Sequence, residues 1–353
     1  MRKGKRLVAW VMAVVMLFTI CVFGGNGTAE AAAATPAAKH GRLSVKGADL
    51  VDSKGNKFQL RGISTHGINW DVGSPYVNKK AFKTLRDDWG VNAIRLAMYT
   101  EEYNGYCSGG SQADLRKLVD KGVGYATDLG MYAIIDWHIL SDGNPNKNKA
   151  QAKKFFTTMA KKYKNNKNVI YEICNEPNGC SWKEIKSYAT DIIKTIRKYD
   201  KKAVIIVGTP TWSQLGTDGT SNEVANSPIK GYKNIMYSLH FYASEWSHNE
   251  YLPAKVAYAR KKKLPIIVSE FGLSPASGDG AINKASADKW MKLLNKYNIS
   301  YFCWSLSNKN ESASLLKPST KKTSGWKSGD LSTAGKYIKK KYLARKKALG
   351  KKA

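Results

Sequence analysis

Residues 169–177 read VIYEICNEP. A β-branched and aromatic run leads into a carboxamide, a carboxylate and a proline, as expected of a buried strand that ends by presenting polar groups. Proline cannot donate to a ladder, so Asn175 and Glu176 belong where strand becomes loop. Residues 265–272, PIIVSEFG, have the same form: an apolar run, a glutamate, then glycine. Between and around these two stretches one unit repeats, a short apolar strand followed by an amphipathic helix. The expected strands are Gln59–Ser64, Ala93–Met98, Tyr132–Trp137, Val169–Cys174, Ala203–Val207, Ile235–Phe241, Pro265–Ser269 and Tyr301–Ser305.

The intervening segments carry helix signals. Asn78 stands ahead of Phe82, Leu85 and Trp89, with Gly90 at the end. Ser111 precedes Leu115, Leu118, Val119 and Val123, with Gly130 beyond them; these are a capping residue, a helical period and a stop. Strands apolar on both faces, alternating with such helices, predict a parallel sheet covered by helices. Eight units favour closure into a (β/α)8 TIM barrel, in which active sites lie at the C-terminal ends of the strands. Ahead of the first unit, residues 39–59 read as a hairpin turning at Lys54-Gly55-Asn56 and able to plug the bottom of the barrel.

Polar and aromatic residues gather at the predicted strand ends. The first strand leads to His66, Asn69 and Trp70, and the second contains Arg95 and leads to Tyr99 and Glu101. The third ends with Asp136, Trp137 and His138, the fourth with Asn175 and Glu176, and the fifth leads to Trp212. The sixth ends with His240 and Tyr242, the seventh with Glu270, and the eighth with Trp304. A core would place Val, Ile or Leu there. The fourth and seventh strands face each other across a barrel mouth, so Glu176 and Glu270 can flank one bond. Glycoside hydrolysis needs one carboxylic acid to protonate the leaving oxygen and a second carboxylate to attack or to activate water. Arg95 beside a glutamate would keep it ionised, Asn175 could hold a sugar hydroxyl, and Tyr242 could donate to the attacking carboxylate. Trp70, Tyr99, Trp212 and Trp304 offer faces for stacking on pyranose rings. A zinc site built from His66, His138 and His240 is the weaker reading: the three come from separate strands, and a carboxylate pair needs no metal or other cofactor.

The chain begins with Arg2, Lys3, Lys5 and Arg6, an apolar run over 7–23, and small residues around Ala29-Glu30-Ala31. Residues 1–31 are therefore expected to be a signal peptide and the protein to be secreted. The barrel is assigned to 39–343 and a basic C-terminal tail to 344–353, with no second module evident. A formal net charge of +31 suits a solvated surface, or weak attachment to an anionic cell surface through that tail. Nothing resembles a nucleic-acid motif. Of the cysteines beyond residue 31, Cys174 and Cys303 fall in apolar strands as buried small hydrophobes. Cys107 and Cys180 fall in loops, where a disulfide between them is left open.

The motifs His66–Trp70, Ile94–Tyr99, Asp136–His138, Tyr171–Pro177, Thr209–Trp212, His240–Tyr242, Ser269–Gly272 and Cys303–Ser307 cover nearly the whole chain after residue 31. In that order they resemble glycoside hydrolase family 5, and within it the bacterial endo-β-1,4-glucanases. The resemblance implies a retaining double displacement on a β-glucan polysaccharide, with Glu176 as acid/base and Glu270 as nucleophile; the chain is expected to act as a monomer. Arg95, His138, Asn175, His240 and Tyr242 match the family's supporting residues. His66, Trp70 and Trp304 match its sugar contacts, and Lys309 and Glu311 match polar contacts on the non-reducing side. A cis peptide at Trp304-Ser305 is implied as well. Asp71 departs from the aromatic residue expected there, and no cellulose-binding module is evident. β-Mannanase or xyloglucanase activity on the same fold is the nearest alternative; a non-catalytic carbohydrate-binding barrel is the alternative of a different class.

Overall fold

The computed structural model describes residues 36–350; the expected signal peptide lies outside them. Ten strands are present in the described chain. β1 (Ser44–Lys46) and β2 (Asp49–Val51) form a two-stranded antiparallel sheet. The other eight are β3 (Arg61–Thr65), β4 (Ala93–Tyr99), β5 (Tyr132–His138), β6 (Val169–Glu172), β7 (Ile205–Val207), β8 (Ile235–Tyr242), β9 (Ile266–Gly272) and β10 (Tyr301–Leu306). All eight pair in parallel with their sequence neighbours, and β10 pairs with β3 to close the cylinder. The (β/α)8 barrel expected from the repeating unit is therefore present, with each strand where the sequence put it to within a few residues.

The helices form for the reasons the sequence supplies. Asn78 accepts from the Ala81 amide at 2.7 Å to start the helix Lys79–Trp89, and Gly90 ends it in the left-handed region at φ 76°. Ser181 and Glu184 make a reciprocal capping box at the start of Trp182–Arg197. The long helices between strands bury apolar residues toward the sheet; from Trp182–Arg197 these are Ile185, Tyr188, Ile192 and Ile196. Strand residues pointing the other way fill the barrel. Phe302 lies so close across from Gly62 that a Cβ at Gly62 would stand 1.9 Å from its ring, so the centre is a packed core.

The N-terminal hairpin seals the bottom, where Leu43, Leu50 and Phe58 pack with the interior residues Tyr132, Ile134, Ile170 and Phe302. Its turn differs from expectation. Lys46 pairs with Asp49, so the chain reverses at Gly47-Ala48, with Gly47 at φ 60°. Lys54-Gly55-Asn56 instead makes a second turn that closes a Val51–Lys57 bridge. There the Asp52 carboxylate accepts from the Lys54 and Asn56 amides at 2.9 Å each. A glycine able to take positive φ permits the tighter two-residue reversal. At the other terminus, residues 344–349, set apart in the sequence as a tail, continue the helix Thr333–Leu349, and Arg345 Nε donates to Gln59 at 2.8 Å. Cys107, Cys174, Cys180 and Cys303 are all free thiols, so Cys107 and Cys180 are not joined.

Candidate active site

The strands end in one polar cluster organised by Arg95. Its guanidinium, on β4, is fully buried and reaches five partners, the longest contact being Nη1 to Ser64 Oγ at 3.4 Å. Nε donates to Glu172 at 2.7 Å, Nη1 to Glu270 at 2.9 Å, and Nη2 to Asn175 at 2.6 Å; Nη2 also lies 3.0 Å from Asp136. Burial alone would pull its pKa down. The carboxylates of Asp136, Glu172 and Glu270 outweigh burial and raise it, so the cation is permanent. Glu172 was not foreseen as part of the site. Its signal was a carboxylate inside an otherwise apolar strand, which must find a buried cation to be tolerated there.

Glu270, on β9, is held by both oxygens. Oε2 accepts from Arg95, and Oε1 accepts from the Tyr242 hydroxyl at 2.7 Å. Glu176, just past the end of β6, has a different setting. Its Oε1 lies 2.7 Å from His240 Nδ1. Burial, reinforced by the negative charge of Asp136 and Glu172 and opposed by Arg95, pushes its pKa up to about 8. Two carboxyl groups in one cleft are thus driven apart in character: one is clamped by a cation and a phenol, the other is biased toward its protonated form. Within the triad Glu176, His240 and Glu270, one ligand atom of each lies within 4.8 Å of the others.

The remaining predicted residues hold these two. Burial first, and then Arg95, pushes His138 down to about 3, while burial first, opposed by Arg95, pushes Asp136 up to about 7. Asn175 Oδ1 accepts from Arg95, so its amide nitrogen faces His138 Nε2 at 3.2 Å and the Ile139 carbonyl at 3.1 Å. His138 Nε2 must then accept, which puts its proton on Nδ1, 2.6 Å from Asp136. His240 is pushed down to about 4, chiefly by burial, and its Nε2 lies 2.9 Å from Ser269 Oγ. His138 and His240, two of the three histidines of the zinc reading, therefore have separate partners. Among the described residues the only convergent grouping of metal-ligand type is Glu176, His240 and Glu270, which is the carboxylate pair itself.

A cavity of about 290 Å³ opens above Glu270 and Glu176, lined by His66, Trp70, Tyr99, His138, Trp304, Lys309 and Glu311 among others. Trp70 and Tyr99 lie 4.5 Å apart between ring centroids, and Trp304 stacks on His138 at 5.3 Å. Asn69 fixes the loop after β3 by bonding the Tyr99 amide and carbonyl at 2.9 and 3.3 Å. His66 Nδ1 accepts from the Gly67 amide at 2.8 Å, so its Nε2–H faces Glu311, 3.7 Å away; Lys309 Nζ pairs with the same carboxylate at 2.5 Å. Glu102 and Leu140 also line this cavity and were missed in the sequence. The peptide between Trp304 and Ser305 is cis, as expected.

A second cavity, about 390 Å³, adjoins Glu176 on its other side and is lined by Trp212, Gln214, His240, Tyr242, Glu245, Ser247 and His248, but not by Glu270. Trp212 reaches it from an unusual backbone: Thr211, Trp212, Ser213 and Leu215 all have φ between 51° and 63°. That run is tied to the Glu176 loop, since the Trp212 amide donates to the Pro177 carbonyl at 3.1 Å and Ser213 Oγ to the Asn175 carbonyl at 2.7 Å. Such left-handed conformations in β-branched and aromatic residues persist only where neighbours fix them.

Comparison with known proteins agrees with this geometry. Residues 51–310 match the family described as Cellulase (glycosyl hydrolase family 5). An endoglucanase of Clostridium saccharobutylicum is 46% identical over 339 residues, covering 95% of this chain and 72% of the relative. Endoglucanase 5 of Pectobacterium carotovorum is 44% identical over 92% of this chain and 62% of its own length. The chain thus spans between three-fifths and three-quarters of those relatives. The solved catalytic domain of Thermobifida fusca endoglucanase Cel5A, in complex with cellotetraose, superposes with a TM-score of 0.80 at 36% identity, over 88% of this chain and all of that one. With the barrel closed and two glutamates converging at its mouth, the chain is a cellulase of glycosyl hydrolase family 5.

Proposed function

We propose that the chain hydrolyses internal β-1,4-glucosidic bonds of cellulose or mixed-linkage β-glucan, with net retention at the anomeric carbon. Glu176 acts as acid/base and Glu270 as nucleophile. The observation that carries this reading is the approach of one oxygen of each carboxylate to within 4.8 Å of the other. Retaining pairs stand about 5–5.5 Å apart, and inverting pairs about 6.5–9.5 Å, leaving room for a water. In the first step Glu270 attacks the anomeric carbon while Glu176 passes its proton to the leaving oxygen. In the second, Glu176, now a carboxylate, takes a proton from water as that water displaces Glu270. Arg95 and Tyr242 spread the nucleophile's charge and aim it; His240 orients Glu176; Asn175 and His138, bonded to Arg95, Asp136 and each other, brace the wall beside the bond. The cavity shared by both glutamates takes the sugar that becomes covalently bound. The cavity that meets Glu176 alone takes the leaving chain.

Export through residues 1–31, action as a monomer and weak attachment to anionic surfaces through the basic C-terminal end complete the proposal, supported by the sequence alone. The test of internal cleavage is a plot of viscosity against reducing ends released from carboxymethyl cellulose. Endo-action drops viscosity steeply while few ends have formed. A fall in step with the ends released would rule it out, and ordinary hydrolysis by Glu176→Gln or Glu270→Gln would rule out the assigned pair.

A further inference from the structure

Beyond the second cavity the surface carries aromatic rings that the reaction does not account for. Among the described residues few large apolar side chains are well exposed, and Trp212 at 44%, Trp246 at 69% and Tyr251 at 37% are three of them. Trp246 opens the helix Trp246–Lys261, and its neighbours Glu245, Ser247 and His248 all line the cavity that meets Glu176 alone. Trp246 and Tyr251 meet edge to face at 5.8 Å. Two exposed rings forming a pair next to a cleft, with no apolar partner covering them, present a platform rather than a core.

The platform is rigidly joined to the catalytic centre. His248 Nδ1 accepts from the Tyr242 amide at 2.9 Å, tying the start of the helix to the end of β8. Buried Lys255, two turns further along, donates to the Gln214 carbonyl at 3.0 Å and also bonds the Asp218 carbonyl. The loop that follows Trp212 is thereby fastened to the same helix. Gly219 in that loop sits against Tyr251, where a Cβ would stand 2.8 Å from the ring. Trp212 and the Trp246–Tyr251 pair are therefore parts of one fixed wall, and binding a chain along it costs little ordering.

We propose that Trp246 and Tyr251 form a distal binding platform for the β-1,4-glucan chain on the leaving-group side, beyond the sugars held at Trp212. The proposal rests on the assigned reaction, because it takes its direction from Glu176: the cavity containing the acid but not the nucleophile receives the leaving group. Pyranose rings alternate apolar faces with hydroxyl edges, so a continuing glucan can stack on exposed indole and phenol faces while its hydroxyls stay in water. The platform would raise affinity for long chains and leave the chemistry untouched.

The test compares the native enzyme with Trp246→Ala, Tyr251→Ala and the double variant on two substrates. One is an aryl cellobioside, whose small leaving group cannot reach the platform; the other is long-chain carboxymethyl cellulose. The expected result is kcat/KM within about twofold of native on the aryl cellobioside. On the polymer it falls roughly two- to tenfold for each ring removed, mainly through KM, and Trp246→Phe and Tyr251→Phe restore it. Variants that match native on the polymer, or that lose equally on both substrates, overturn the platform. So does a dimer, seen by sedimentation, that the double variant abolishes, since the rings would then cover a second copy. Failure of the native enzyme on both substrates would instead strike the assigned reaction.

Discussion

Replacing Glu176 with glutamine removes a proton donor while keeping shape and burial, and the structure sets the size of the effect. Burial and the neighbouring Asp136 and Glu172 raise this carboxyl from its usual 4.5 to about 8. At pH 7 a carboxyl with a pKa of about 8 is about nine-tenths protonated, against about 0.3% at 4.5, a roughly 300-fold gain in the competent acid. Loss of the acid should lower kcat/KM on cellotetraose by about 10²–10⁴-fold, the range for a positioned general acid. A dinitrophenyl cellobioside departs without protonation, so its burst of phenolate should survive within a few-fold. Steady turnover of that substrate should slow, because water then lacks its base, and azide, which needs none, should restore it. The sign of the pH dependence follows: the acid works protonated, so native kcat/KM on cellotetraose should fall as pH rises through about 8, and the burst of the variant should show no such limb. Equal losses on the two substrates, or an alkaline limb surviving in the variant, would refute the role.

Arg95→Lys leaves one ammonium where a guanidinium served Glu172, Glu270, Asn175 and Asp136. Uncompensated buried carboxylates should cost about 3–5 kcal/mol, read as a lower midpoint in urea unfolding; an unchanged midpoint would contradict the central place given to it. Tyr242→Phe removes one bond to the Glu270 carboxylate, and about 1.5–3 kcal/mol for a charged hydrogen bond predicts roughly 10- to 150-fold in kcat with the fold intact. Trp212→Ala should raise KM for cello-oligosaccharides that span the bond and leave the aryl cellobioside nearly unaffected; the opposite pattern would move Trp212 to the other side. Thiol titration of the denatured protein processed after Ala31 should find four reactive sulfhydryls without reductant, and two would restore the Cys107–Cys180 bridge.

The barrel was legible because its strands are largely apolar on both faces and helices such as Lys79–Trp89, Gln112–Asp128 and Trp182–Arg197 begin with a cap, signals that depend on short windows. The two glutamates were legible because they break an apolar run where a strand ends. Glu172 breaks the same run four residues before Glu176, yet its meaning is set by Arg95, 77 residues away in sequence, and no local window holds both. Trp212 was found as an aromatic residue, but the left-handed run that aims it depends on bonds to Asn175 and Pro177. The hairpin turn was misplaced because two glycines, Gly47 and Gly55, both reverse the chain, and only the ladder decides which one makes the tight turn. Residues 344–349 read as a tail because they are lysine-rich, while the buried Tyr342 and the Arg345–Gln59 bond keep the helix against the barrel.

Retention hangs on how near the two carboxyl groups stand, and the first product reports it. Proton NMR during the first minutes of cellotetraose hydrolysis, before mutarotation, gives the anomeric form of the newly made reducing end. One oxygen of each carboxylate within 4.8 Å of the other leaves no room for a water between nucleophile and sugar, and predicts the β-anomer first. The α-anomer first would mean direct displacement by water, and would contradict Glu270 as the nucleophile.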